Sequence, residues 1–555
     1  MNSVNSTWMK RPCDMCPLEI CDTNEMQMKA TFENNYLDHM SNLTIKSNPS
    51  KNTLTTIACG VRSNVTKDVI EDLCERGMSM VLFDFNNLSY DLSRKVVYEI
   101  RQGVFNYSLK TDRVPYSLSL VLCLKGTSIM TGKILNKKGK PQEQMVELLT
   151  NGHVYVTHDP DYKDKCTADR IYTDTKQILR LKENDRIYLD DGKIELIVER
   201  VETDEVYCLI KRGDFLGSEK TVHIPGIPIG MTALTKQDEE HIRIGIQLKV
   251  DVILVPGVRN APYFTYVKNF VCQEKGKDIE LYAKIDNSVG LENVDEIIPI
   301  TDGIFLDRPN LSMEIGADCI FLAQKIVLSK CNIIGKPIVT HGKFFNSMEC
   351  NTVPLSSEIN DIITTVLDGT DCIYLEVTKR ATHKAHCIEY ASTVCRQGEA
   401  AIWEQQVFSD LKNKAKPKVD PTHAICIGCV EVSLKCHTAA IIVITTSGLS
   451  AKIVARYRPR CPVLAIIKNG KAARKITVWR NLTAVHYIEP IETNWAKDIE
   501  NRTKFAMNLG KKRGILNQGD LVLHMCCSKQ NAGFTNTMRL FYVGAEDLIG
   551  DVDYQ

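Results

Sequence analysis

The residues DGIFL (302–306), IFLAQKIVLSKCNIIG (320–335) and KPIVTHG (336–342) follow one another as an apolar run, an amphipathic segment closed by glycine, and a second apolar run. Runs this short and this uniformly apolar suit strands buried on both faces, and the longer segment between them suits a helix laid across them. The unit recurs on both sides. Apolar runs stand at SLSLVLCL (117–124), DVILVPGV (251–258), IELYAKI (279–285) and DCIYLEV (371–377), and SEINDIITTVLDG (357–369) has helical periodicity. So many strand and helix alternations predict a (β/α)8 TIM barrel.

Two stretches break that rhythm. Between 133 and 231 the pattern becomes alternating, as in RIYLDDGKIELIVERV and EVYCLIKRG, with a turn signal at Asp191-Gly192. A small β-barrel domain inserted in the larger barrel is expected there. After Lys418 a second α/β pattern begins, with strands at 439–448, 461–469 and 520–527, which reads as a C-terminal open α/β domain. The expected layout is an N-terminal arm and helix (1–51), a barrel in two parts (52–132 and 232–403), the insert (133–231), the C-terminal domain (404–545) and an acidic tail (546–555) carrying Glu546, Asp547, Asp551 and Asp553.

The 555 residues are 44% hydrophobic and 25% charged, an ordinary globular balance, and the formal charge of +1 provides no field that would draw nucleic acid or an anionic membrane. No charged-then-apolar leader follows Met1 and no apolar run reaches about 18 residues, so a soluble cytoplasmic protein is expected. Its 21 cysteines are then read mainly as small buried thiols, Cys123 and Cys526-Cys527 among them, and Asn-x-Ser/Thr sites such as Asn42 and Asn310 carry no glycan meaning. Cys13-x-x-Cys16 with Cys21 lacks the second ligand pair of a zinc site and is read as part of a solvated arm.

Long motifs in a fixed order make the chain resemble the pyruvate kinase family in its animal branch. They include LDHMSNL (37–43), GDFLGSEKTVHIPG (213–226), FLAQK (321–325), CNIIGKP (331–337), LDGTDCIYL (367–375), VARYRPRCP (454–462), FAMNLGKKRG (505–514) and GFTNTMR (533–539). The resemblance implies a barrel with an inserted β domain and a C-terminal α/β domain, assembled as a homo-oligomer of the tetrameric kind. It also implies the last step of glycolysis, transfer of the phosphoryl group of phosphoenolpyruvate to ADP to give pyruvate and ATP, with Mg²⁺ and K⁺ as cofactors.

Measured against that family's motifs, the site residues are edited. Lys284 stands where the family has its catalytic lysine, and Asp286 replaces a metal-binding glutamate. In DGIFLDRPNLSMEI (302–315), Pro309 and Asn310 replace a glycine whose amide approaches substrate and a metal-binding aspartate. Magnesium is held by few protein carboxylates, so the loss at Asn310 predicts weaker binding. The phosphate and potassium segment reads Leu82-Phe83-Asp84-Phe85-Asn86-Asn87-Leu88, with Leu82 in place of an arginine. Cys123, beside Leu124, replaces a potassium aspartate, Met130 an active-site arginine, Gly342 a threonine, and Glu376-Val377-Thr378-Lys379 stands for Ser-Gly-Glu-Thr. Lys125, Lys220 and Arg308 remain as bases for substrate phosphate. The expectation is a catalytically impaired or inactive member with a structural or regulatory role, through homo-oligomers or hetero-oligomers with an active paralogue. The alternative is a slow pyruvate kinase using Lys284 and Asp286; a third reading is a lyase or decarboxylase using the lysine and His341.

In the C-terminal domain, Thr445-Thr446-Ser447-Gly448-Leu449-Ser450, then Trp495 and Arg502, then Asn531-Ala532-Gly533 correspond to the family's fructose 1,6-bisphosphate site, with Thr446 and Asn531 as departures. A cradle of amides and hydroxyls for a sugar phosphate, or a retained packing turn, are both open readings.

Overall fold

The computed structural model describes residues 30–45, 49–50, 52–84, 90–111, 114–126, 129–135, 145–190, 192–225, 234–376, 381–529 and 533–544. Asn86, Asp191, Thr378, Asn531, the three N-terminal cysteines and the acidic tail lie outside them, as does the side chain of Asp84.

Eight parallel strands close into a barrel in chain order: Thr56–Gly60, Met78–Asp84, Ser119–Cys123, Val252–Val255, Glu280–Ile285, Gly303–Asp307, Ile338–His341 and Cys372–Leu375. The last pairs with the first, Ile57 beside Ile373. Helices such as Lys236–Gln247, Ala261–Gln273 and Ile320–Ile334 pack outside, and Gly335 ends the last of these with φ +81, a conformation glycine adopts without strain. The barrel interior is filled by Met80, Leu82, Val121, Leu254, Tyr282, Phe305 and Val339. Gly303 sits opposite Tyr282 in the register, and a Cβ there would come 2.6 Å from the tyrosine ring, so glycine makes room for the largest side chain of that layer.

Between the third and fourth barrel strands the chain forms a mainly antiparallel seven-stranded sheet and a separate two-stranded pair, Phe215–Leu216 with Val146–Glu147. Alternate residues of Ile194–Val201 and Glu205–Arg212 point into a core of Leu196, Val198, Val206, Cys208 and Ile210. The C-terminal domain is a five-stranded sheet in which Ala440–Ile444 lies between Val463–Ile467 and Leu521–Cys526, with the antiparallel Thr537–Tyr542 at the edge.

The C-terminal domain docks on the end of the barrel where strands begin. Arg474 pairs with Asp251, Lys452 with Glu280 and Arg458 with Asp371, at 3.0, 2.7 and 2.9 Å. Asp251 and Asp371 immediately precede barrel strands and Glu280 opens one. The opposite end, where the strands finish, is left to the inserted domain and to a cleft. No helix among the described residues is long and apolar enough to cross a membrane.

Candidate active site

The cleft has a volume of about 440 Å³ and is lined by the finishing ends of the barrel strands together with Met130, Thr221 and His223 of the insert. In barrels of this kind, chemistry is built at that end. Its centre is Asp307, last residue of the sixth strand and N-cap of helix Arg308–Ile315. The local sequence explains that position: an aspartate ahead of Arg-Pro-Asn accepts from the Asn310 amide, and Pro309 fits the first turn, where no N–H is needed.

Asp307 is 1% exposed and satisfied on every side. Lys284 Nζ lies 2.6 Å from Oδ2, Asn310 Nδ2 donates to the same oxygen at 2.7 Å, and His341 Nδ1 lies 3.1 Å from Oδ1. Registers place Asp307 beside His341 on the next strand and Ile285, the neighbour of Lys284, beside Leu306. Burial would protonate Asp307, but Lys284 and His341 outweigh it and hold the carboxyl well below the usual range. Burial likewise opposes charge on Lys284, yet Asp307 and Asp286 raise its pKa. For His341 burial is again outweighed, by Asp307 and Glu376, and the imidazole is raised to about 9. His341 is therefore an imidazolium near neutral pH, its ring edge-to-face with Tyr374 at 5.0 Å.

Asp286 is a poor free ligand. Its oxygens accept from the Gly257 amide at 3.1 Å and Asn287 Nδ2 at 2.9 Å, and burial, only partly offset by Lys284, pushes its pKa up. Glu314 accepts from the Ser288 amide and hydroxyl at 2.6 and 2.7 Å and faces Nε2 of His223 of the insert at 3.5 Å. Burial lowers the pKa of His223.

The residues singled out in the sequence divide by position. Lys284, Asp286, Pro309, Asn310, Leu82, Met130, Cys123, Leu124 and Lys125 line the cleft. Arg308 and Lys220 are engaged elsewhere. Arg308 forms a two-pronged pair with Asp361, both contacts 2.7 Å, donates to Gln324 at 2.9 Å, and lies over the Phe344 ring. Gly342 makes this possible, because a Cβ there would collide with the guanidinium. Lys220 pairs with Asp190 inside the insert at 3.0 Å. Asp307 is not among the residues that the family motifs single out; its signal in the sequence is an aspartate that both ends an apolar strand run and opens an Asp-x-Pro-Asn turn.

The donor set fits Mg²⁺ poorly: Asn310 offers only a neutral amide oxygen, Asp307 is neutralised by two cations, and Asp286 is tied to N–H donors. At the potassium position, the Cys123 thiol donates to the Leu124 carbonyl, a soft group where a hard cation needs oxygen. Among the described residues no group of three or more His, Cys, Asp or Glu side chains could hold a metal ion.

In the C-terminal domain the loop 445–450 leaves strand Ala440–Ile444 and turns at Gly448, φ +85, whose amide donates to Thr445 Oγ1 at 3.2 Å; the Leu449 amide donates to Ser447 Oγ at 3.4 Å. Ser450 is buried. Trp495 donates its indole N–H to the Cys527 carbonyl at 3.1 Å, at the end of the adjacent strand. Arg502 is buried against Asp498, 2.7 Å away, and lies over the Tyr487 and Trp495 rings. Gly533 has φ +76 and open space around it. Strand order reverses between Ala440–Ile444 and Leu521–Cys526, the place where open α/β sheets form crevices.

Residues 51–383 match the family model of the pyruvate kinase barrel domain, and residues 423–541 that of the pyruvate kinase alpha/beta domain. The chain is similar to pyruvate kinase PKLR of Homo sapiens, 33% identical over 526 residues that cover 94% of this chain and 90% of that protein. It is 30% identical to the pyruvate kinase of Candida albicans, over 91% of this chain and 98% of that protein. It is 28% identical to pyruvate kinase 1 of Trypanosoma brucei brucei, over 91% and 99%.

Proposed function

The chain belongs to the pyruvate kinase family, and from that premise we propose that it is a cytosolic member in which phosphoryl transfer from phosphoenolpyruvate to ADP is lost or severely impaired, leaving a structural or regulatory role. The observation that carries this reading is Asp307. A lysine serves phosphoryl transfer by lending positive charge to the moving group. Here that charge is engaged by a buried carboxylate 2.6 Å away, and the same carboxylate accepts a side-chain N–H of Asn310. A phosphoryl group would have to displace Asp307 from Lys284 with no arginine at Leu82 to compensate and with Mg²⁺ and K⁺ held weakly.

The charges around Asp307 are nonetheless paired with one another, which supports a fold kept for something other than turnover. The role we assign is assembly, as a homo-oligomer or together with an active paralogue. Half-exposed Phe321, Leu322 and Ile326 on the barrel helix Ile320–Ile334 offer apolar surface for it. The crevice of Thr445, Ser447, Gly448 and Trp495 is the proposed place for a sugar phosphate, bound through amides and hydroxyls, since Arg502 is committed to Asp498.

The test is pyruvate formation by the purified protein from phosphoenolpyruvate and ADP with Mg²⁺ and K⁺, beside Lys284→Met. No turnover above that variant is expected. Turnover abolished by the substitution would replace this reading with that of a slow pyruvate kinase. Native mass spectrometry after mixing with an active pyruvate kinase tests co-assembly, and homo-oligomers alone would refute the mixed form.

A further inference from the structure

A second cavity, of about 430 Å³, lies between the barrel helices Ile320–Ile334 and Ser356–Leu367, the helix Glu404–Asn413 and the C-terminal domain, away from the cleft. Its lining includes the apolar side chains of Val366, Leu367, Ile402, Val407 and Leu411. It also includes Glu404, Arg458 and Arg480, each less than a tenth exposed, and the charged Asp368, Asp410 and Lys414. A volume of several hundred Å³ with apolar walls and a few convergent polar groups is the usual form of a small-molecule site.

The two arginines differ. Arg458 is committed: it pairs with Asp371 at 2.9 Å and donates to the Gly369 carbonyl at 3.0 Å and to Asn332. Arg480 is 5% exposed, its Nε has no hydrogen-bond partner, and among the described residues no carboxylate lies within ion-pair distance of its guanidinium. Its backbone amide alone reaches Asp371, at 3.2 Å. Glu404 does not neutralise it; its Oε2 faces Arg460 Nε at 3.5 Å without a hydrogen bond. Burial, partly opposed by Arg460 and Arg480, raises Glu404 to about 7, so near neutral pH a substantial share of molecules carries the proton there and can offer an O–H donor. A buried guanidinium without a counter-charge is costly, and a carboxylate brought by a ligand removes that cost through a two-pronged pair.

We propose that this cavity binds a small monocarboxylate with an apolar tail, its carboxylate paired with Arg480 and hydrogen-bonded by Glu404, its tail against Val366, Val407 and Leu411. Such a ligand would join the barrel, the helix Glu404–Asn413 and the C-terminal domain at one point.

The experiment is isothermal titration of the full-length protein with hexanoate, and with hexanol as the uncharged control. Saturable hexanoate binding is expected, at least tenfold tighter than hexanol. Arg480→Met should weaken it tenfold or more, and Val407→Trp, which fills the cavity from a helix surface, should abolish it while the circular dichroism spectrum stays native. Arg480→Lys, which keeps the charge, should retain part of the affinity and covers the case in which Arg480→Met does not fold. Absence of hexanoate binding, hexanol binding as tightly, or affinity unchanged in Val407→Trp or Arg480→Met would each overturn the proposal. None of these readouts depends on pyruvate formation.

Discussion

Oδ2 of Asp307 and Nζ of Lys284 lie 2.6 Å apart at the mouth of the barrel, with the carboxylate only 1% exposed. The pair is cross-braced by His341 and Asn310, so the four side chains act as one electrostatic unit. Removing any single member leaves a defined remainder, and that makes the unit testable.

Asp307→Ala leaves Lys284 buried with only Asp286, at 4.0 Å. Breaking one side of a buried pair costs about 3–5 kcal/mol. Urea denaturation should show a loss of that order. The double variant Lys284→Met/Asp307→Leu, which removes both charges, should recover most of it, giving a large coupling energy in the double-mutant cycle.

His341 makes stability depend on pH with a definite sign. Its folded pKa of about 9 lies above the ordinary histidine value of 6.5. The native state therefore binds the proton more tightly than the unfolded chain. The contribution, on the order of 3 kcal/mol, is fully present below pH about 6.5 and is lost as pH rises through about 9. Denaturation midpoints measured from pH 6 to 10 should fall across that window, and the fall should flatten in His341→Gln.

Magnesium should leave the protein indifferent. The expected melting temperature is the same in EDTA and in millimolar Mg²⁺. In Asp307→Ala/Asn310→Asp, which frees the lysine and restores a carboxylate, Mg²⁺ should raise the melting temperature measurably. A shift in the unsubstituted protein would contradict the reading of the donor set.

Gly342→Ala places a methyl against the Arg308 guanidinium and should break its pair with Asp361. Overpacking of this kind costs about 1–3 kcal/mol. Thermal unfolding should detect it, and Arg308→Ala in the same background should relieve much of the strain.

The barrel was readable because each unit is a local pattern. The runs at 302–306 and 336–342 became strands Gly303–Asp307 and Ile338–His341, and the segment ending at Gly335 became the helix between them. The helix expected within residues 1–51 stands as Tyr36–Ser41. The position of Lys284 in the cleft followed from its place near the end of a strand. What joins Lys284, Asp307 and His341 did not: they belong to three successive strands, and only barrel register brings their side chains to one point. The direction of Arg308 was equally hidden. Capping by Asp307 fixes the first helical turn, and Asp361, 53 residues further on, then draws the guanidinium outward. Lys220 was drawn by Asp190, which the Asp190-to-Lys193 turn places in reach.

The three ion pairs between the C-terminal domain and the starting ends of the barrel strands involve Asp251, Glu280 and Asp371, none of which lines the cleft. The molecule thus has a foundation and a workplace at opposite ends of the same strands. The side chains at the finishing ends make none of these three contacts, so a neutral or mutually paired set there leaves the docking of the C-terminal domain untouched. On the function proposed above, a reaction can be relinquished without relinquishing the shape in which neighbours recognise the chain.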